Sequence, residues 1–193
     1  MIKKKLIFGT QCLGSYLNEK ASLSLLDQVY DFGIKKFDCA ERYPFPEKNE
    51  TFGLTEKIIG DWQKKNKVRK SILIDTKVTG RNFGEIKSVG GNRLIPKRII
   101  TAAEKSLKRL KTDYIDTFYI HWPDRFTNNF DRLYYSPGND PKFIPLEVQF
   151  EAILKLKKSG KIRNFGISNE SAWGLSKFQN LSKKNKIKLY SQE

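Results

Sequence analysis

The chain has 193 residues, 38% of them hydrophobic, and a formal net charge of +16. That content suits one sizeable core and falls short of two. No run approaches the roughly 18 to 20 consecutive apolar residues that span a bilayer, so no membrane partner is expected. The start, Met1-Ile2-Lys3-Lys4-Lys5, is basic, but the apolar run after it is too short for a signal peptide and no cleavage signature follows. A cytoplasmic location is the expectation. Cys12 and Cys39 show no C-x-x-C spacing, and both are expected to be small buried thiols beside strands; no metal is expected. The 37 basic residues are scattered along the chain with no recognition motif, and most fall at helix C-terminal ends. Nucleic acid is therefore not an expected partner. The positive surface favours anionic ligands such as phosphates.

Along the chain, short apolar runs alternate with amphipathic stretches. Leu6–Gly9 predicts a first strand. Leu25, Val29 and Phe32 then recur at helical spacing, and Gly33 ends that helix before a strand over Ile34–Asp38. Leu54, Ile58 and Trp62 mark a second helix, followed by a strand over Ser71–Val78. A long loop, Gly80–Ile95, leads to Pro96, a proline suited to a first helical turn, and to the stripe Ile99, Ala103, Leu107 and Leu110. A strand over Tyr114–Trp122 precedes a second long loop, Pro123–Pro145. Leu146, Phe150, Ile153 and Leu156 form another helical face, capped at Gly160, and strands over Ile162–Ser168 and Ile187–Ser191 complete the pattern. Each run is apolar enough for a strand covered on both faces, and strand–helix alternation means parallel strands with helical crossovers. An open dinucleotide-binding sheet would carry G-x-G-x-x-G after its first strand. Gly9-Thr10-Gln11-Cys12-Leu13-Gly14 does not match, which favours a (β/α) barrel. Both long loops follow strands, on the face where barrels keep their active sites, and loops of that length are either functional or disordered.

Polar groups gather at the same strand ends. The second predicted strand ends in Phe37-Asp38 and runs into Cys39-Ala40-Glu41-Arg42-Tyr43, the third ends in Thr76-Lys77, the fourth in Ile120-His121-Trp122, and the fifth in Ser168-Asn169. Singly, each has an ordinary structural explanation: a capping aspartate, a solvent-reaching lysine, a satisfied core histidine, a tyrosine in a pocket wall. Together they make chemical sense. A phenol has a reference pKa of about 10, and a nearby cation favours its ionised form. A buried lysine needs a carboxylate, which Asp38 can supply. An imidazole can orient a carbonyl or relay a proton. The set reads as a general acid aimed at a carbonyl oxygen, with the hydride left to a nicotinamide cofactor.

Those segments, together with Ser106-Leu107-Lys108-Arg109-Leu110-Lys111-Thr112-Asp113-Tyr114-Ile115-Asp116 and Gly160-Lys161-Ile162-Arg163-Asn164-Phe165-Gly166-Ile167-Ser168-Asn169, resemble the signatures of the aldo-keto reductases. The stretch Ala40–Gly60 further resembles a bacterial branch of that family. The resemblance covers nearly the whole chain. It implies an α/β fold, a (β/α)8 TIM barrel here truncated after about the sixth strand, with 1–193 a single domain incomplete at its C-terminus. It implies NADPH (NADP) as cofactor and reduction of a small carbonyl substrate. Tyr43 would donate the proton, Lys77 would lower its pKa, Asp38 would pair with Lys77, and His121 would orient the carbonyl. Ser168, Asn169 and Gln192 would hold the nicotinamide carboxamide, and Trp122 would border the substrate pocket. The family's barrel has two further strands, and they carry most pyrophosphate and 2′-phosphate contacts. A non-catalytic cofactor-binding barrel and an inactive fragment of the reductase are the other readings.

Overall fold

A computed structural model describes residues 6–81, 93–127 and 143–192, with 191 and 192 described for the backbone alone. Most of the two long loops therefore lies outside the described residues. Six strands, β1 (Phe8–Gly9), β2 (Lys36–Asp38), β3 (Leu73–Val78), β4 (Ile115–Ile120), β5 (Ile162–Ser168) and β6 (Leu189–Gln192), form one sheet. Among the described residues five α-helices lie between them: α1 (Glu19–Phe32), α2 (Leu54–Asn66), α3 (Pro96–Leu110), α4 (Leu146–Lys158) and α5 (Ala172–Lys184). Every strand pair is parallel, and the strands stand in the sheet in chain order.

That order decides the architecture. A doubly wound sheet reverses direction at a switch point and puts helices on both faces. Here each right-handed crossover advances one strand in the same direction, so all the helices cover one face. The result is an arc of a (β/α)8 barrel, as the alternation of elements predicts.

The two faces of the arc differ in kind. Phe37, Ile74, Val78, Phe118, Ile120, Phe165 and Ile167 are buried toward the helices, where Phe37 meets Trp62 at 5.3 Å between ring centroids and Phe165 meets Phe178 at 5.5 Å. Because strand side chains alternate, the intervening residues Lys36, Asp38, Asp75, Lys77, Thr117 and Tyr119 point to the opposite face, the barrel interior. In register, Lys77 neighbours Tyr119, and Tyr119 neighbours Gly166. Any side chain at position 166 would run into the Tyr119 ring, so glycine is required for the two strands to pack there.

Local signals account for the helices. Gly33, at φ 101°, ends α1 and donates to the carbonyls of Val29 and Tyr30. Gly160, at φ 73°, follows α4, and Pro96 opens α3. Lysine or arginine fills the last turn of α2, α3, α4 and α5, matching the helix dipole. The stripes on α3 and α4 are buried as predicted. The α1 stripe is displaced: Ser22, Leu26 and Val29 face the sheet, and Phe32 is exposed. The small Ser22 lets α1 approach closely, and its hydroxyl is satisfied by the Leu17 carbonyl, so an apolar count alone selects the wrong line. The expectation for the cysteines fails for one of the two. Cys39 is buried and its thiol is pushed up by burial, whereas Cys12 is exposed. The turn after β1 uses only the Cys12 carbonyl, which accepts from the backbones of Ser15 and Leu17, and leaves the thiol outside. Among the described residues no helix is long and apolar enough to cross a membrane.

Candidate active site

The predicted residues meet at the C-terminal ends of β2, β3, β4 and β5. Lys77 is 2% exposed, and its Nζ donates to both oxygens of Asp38 at 2.7 Å and to the Cys39 carbonyl at 2.8 Å. An ammonium has three protons, so these three acceptors satisfy it completely. That is how a charge survives in the barrel interior. Asp38 is fixed in turn through its own backbone, whose carbonyl accepts from the Thr10 backbone at 3.1 Å and from the Thr10 hydroxyl at 2.7 Å.

Tyr43 lies on the segment after β2. Its ring centroid is 5.2 Å from Lys77 Nζ and 5.7 Å from the His121 ring, which it meets edge-on. Backbone and hydroxyl contacts hold that segment. The Glu41 backbone donates to Lys77 at 3.2 Å, Tyr43 to Ala40 at 3.1 Å and Phe45 to Gln11 at 2.8 Å, and the Ser15 hydroxyl donates to the Phe45 carbonyl at 2.6 Å. His121 follows β4, and its backbone donates to Val78 at 2.9 Å, extending the β3–β4 pairing by one residue. Trp122 stands 4.9 Å from His121, with its indole N–H on the Arg81 carbonyl at 2.7 Å.

Electrostatics separates the two titrating groups. Burial, then Lys77, then Arg42 hold His121 well below its usual value, so the imidazole is neutral near pH 7. Its Nδ1 is buried with no hydrogen-bond partner among the described residues. Burial first, then Asp38, push the Tyr43 phenol upward. That is opposite to the direction expected from a lysine beside a phenol. The reason lies in the geometry above: Lys77 spends its donors on Asp38 and Cys39, so the phenol meets the carboxylate's charge and the loss of water.

The neutral histidine makes stability depend on pH. His121 is the chain's only histidine. Below about pH 6.5 the unfolded chain binds a proton at this position that the fold refuses. Its contribution is full above that value and falls as pH drops through it, by up to about 1.4 kcal/mol per pH unit. Urea unfolding between about pH 7.5 and about pH 5.5 should therefore show wild type losing more stability than His121→Gln. Parallel losses would refute the depressed imidazole.

At the end of β5, Ser168 is buried. Asn169, at φ 51°, donates its Nδ2 to the His121 carbonyl at 2.9 Å and to the Ser168 hydroxyl at 3.1 Å. Its Oδ1 accepts from no described residue. Gln192 is opposite Ser168 in the β5–β6 register; its side chain is outside the described residues.

Three buried groups around this site escape sequence reasoning. Glu41 and Arg98, each 1% exposed, form an ion pair, and Glu41, two residues before Tyr43, also accepts from the Thr79 backbone at 2.7 Å. Asp124, also buried, binds Arg93 Nη2 and the backbones of Leu94 and Ile144, each at 2.8 Å. One carboxylate thus ties the inner feet of both long loops to the end of β4. Asp124 lies inside the second long loop, where no periodicity marks it.

The sequence model of the Aldo/keto reductase family matches residues 5–193. The chain belongs to the aldo/keto reductase family. Protein tas of Escherichia coli is 36% identical over 180 residues, which cover 93% of this chain and 52% of that protein. An aldo-keto reductase of Bacillus subtilis is 30% identical over 175 residues, covering 89% of this chain and 45% of its own length. Among solved structures, a thermostable aldo-keto reductase crystallised with the inhibitor epalrestat superposes with a TM-score of 0.68 at 25% identity, across 97% of this chain and 57% of that one. The chain spans about half the length of the curated relatives it matches.

Proposed function

We propose that this chain carries the acid-bearing part of an NADPH-dependent reductase that converts an aldehyde or ketone to an alcohol in the cytoplasm. The observation that supports this most is the convergence of Tyr43, neutral His121 and the Lys77–Asp38 pair on one polar patch. In this reading Tyr43 gives its proton to the carbonyl oxygen. The phenolate left behind is the costly species, because burial already disfavours it, and the Lys77 ammonium stands 5.2 Å from the Tyr43 ring centre. His121, being neutral, can donate a hydrogen bond to the same oxygen without adding charge.

The residues present fit a nicotinamide carboxamide. Asn169 offers an unpaired acceptor, Ser168 a hydroxyl, and Gln192 sits opposite on the next strand. NADPH, when bound, supplies the hydride. The choice of the phosphorylated cofactor follows the family resemblance and the chain's basic charge.

A second reading, a barrel that binds cofactor without turnover, is favoured by the raised Tyr43 phenol and by the fully committed Lys77. One experiment separates them. The protein encoded by the gene's full reading frame is mixed with NADPH and a panel of aldehydes. The reductase reading expects NADPH loss matched one-for-one by alcohol. Binding with no turnover on any member of the panel supports the second reading, and absence of binding removes both.

A further inference from the structure

The basic residues are scattered in sequence, but the fold gathers them. The strands are parallel and follow chain order, so every connection from a helix to the next strand lies on the N-terminal rim of the arc, opposite the candidate site. The last four residues of the five helices and the connections that follow them hold seventeen of the chain's 37 basic residues. The acidic residues of those segments are Asp31 and Asp113 alone. The connections from strands to helices, on the other rim, hold eight basic and eight acidic residues. Nearly all of the net charge of +16 therefore lies on the face away from Tyr43.

Helix dipoles explain only part of this. Their field is felt within the last helical turn, whereas Lys67, Lys70, Lys186 and Lys188 stand beyond it. Contacts join successive connections into one surface. Gln63, near the end of α2, donates to the Leu110 and Lys111 carbonyls at 2.9 and 3.1 Å. Arg69 donates to the Tyr114 carbonyl at 2.8 Å, and the guanidinium carbons of Arg69 and Arg163 lie 3.8 and 3.7 Å from the Tyr114 ring centroid. The entries to β3, β4 and β5 thus form a contiguous patch.

The cations of this face divide by type. The arginines are committed: Arg69 and Arg163 pair with Asp116, and Arg109 with Glu56. The open cations are lysines. Lys64, Lys65 and Lys67 around the α2–β3 turn, and Lys183, Lys184 and Lys186 around the α5–β6 turn, are exposed and meet no carboxylate among the described residues. Recognition of individual nucleic-acid phosphates favours the planar fork of arginine, whereas lysines act as point charges suited to a diffuse anionic layer. Two large apolar side chains stand on the same rim. Phe32, 55% exposed, ends α1, and Leu73, 46% exposed, opens β3 in register with Lys36. Apolar side chains beside lysines can enter the headgroup layer of a bilayer.

We propose that the N-terminal rim docks on an anionic lipid bilayer, with the candidate site facing away from the lipid. Attachment of this kind needs charge on a broad face and no membrane-spanning helix. It is independent of the reductase reading above.

The test is flotation of the protein from the full reading frame with vesicles of phosphatidylcholine, alone or with about one-third phosphatidylglycerol. At about 0.05 M salt the anionic vesicles should bind it about a hundredfold more tightly than the neutral ones, and at about 0.5 M salt that preference should be lost. The triple variant Lys183→Gln, Lys184→Gln, Lys186→Gln should weaken binding by about tenfold or more, since each lysine near such a surface adds about fivefold. The triple variant Lys20→Gln, Lys48→Gln, Lys97→Gln removes the same charge from exposed positions near the other rim, and it should weaken binding by about threefold at most. Equal binding to both vesicle types, or equal losses in the two triple variants, would overturn the proposal. A duplex oligonucleotide bound more tightly than the anionic vesicles, and lost in the first variant alone, would overturn it in favour of nucleic acid.

Discussion

Lys77→Met should unfold at markedly lower urea concentration than wild type and should lose carbonyl reduction. The lysine is 2% exposed and carries the positive half of a pair with Asp38 at 2.7 Å. Methionine fills a similar volume but leaves the Asp38 carboxylate in the barrel interior without its cation. Removing one partner of a buried pair costs about 3 to 5 kcal/mol, because the remaining charge stays desolvated. The double variant Asp38→Asn, Lys77→Met should recover part of that loss, since no charge is left behind. Activity should not recover, because the phenolate formed at Tyr43 would have lost its cation. The expected fall is about a hundredfold or more, the usual worth of assistance to a proton transfer. A single variant within about 1 kcal/mol of wild type would show that Asp38 finds another partner.

Arg98→Met should be comparably destabilising although it touches no reacting group. Arg98 and Glu41 are each 1% exposed, and their ion pair joins α3 to the segment that carries Tyr43. Without the guanidinium, Glu41 keeps only the Thr79 backbone among its described donors. A loss of about 3 to 5 kcal/mol is expected, with a smaller loss in Glu41→Gln, Arg98→Met. A strictly additive double-mutant cycle from urea unfolding would contradict the coupling.

The sequence made the sheet legible because its signals are local. Apolar runs at strand length, four helical stripes, Gly33, Gly160 and Pro96 each act within a few residues, and together they order the elements. That Asp38, Lys77 and His121 gather at one end of the sheet was legible too, because each lies in or directly after a strand that the pattern places, whereas Tyr43 stands five residues beyond β2. What stayed hidden depends on partners far apart in the chain. Glu41 finds Arg98 across 57 positions, and Asp124 finds Leu94 across 30. No periodicity encodes such pairs, and an isolated glutamate or arginine reads as surface. The direction of the Tyr43 shift was hidden for a related reason. Residue types place a cation beside a phenol, but only geometry shows that its three protons are spent on Asp38 and Cys39. Phe32 and Cys12 are smaller failures of the same kind, where the fold buries Ser22 in place of a larger apolar residue and uses a carbonyl in place of a thiol.

The most direct measurement of the central claim is a comparison of wild type and Tyr43→Phe, each from the full reading frame. NADPH affinity and the single-turnover rate of aldehyde reduction would be recorded together. The phenyl ring keeps the edge-on contact with His121 and removes only the hydroxyl group that carries the proton. Affinity should be unchanged, and the rate should fall about a hundredfold to ten-thousandfold. A Tyr43→Phe variant that turns over at the wild-type rate would contradict the assignment of Tyr43 as the acid.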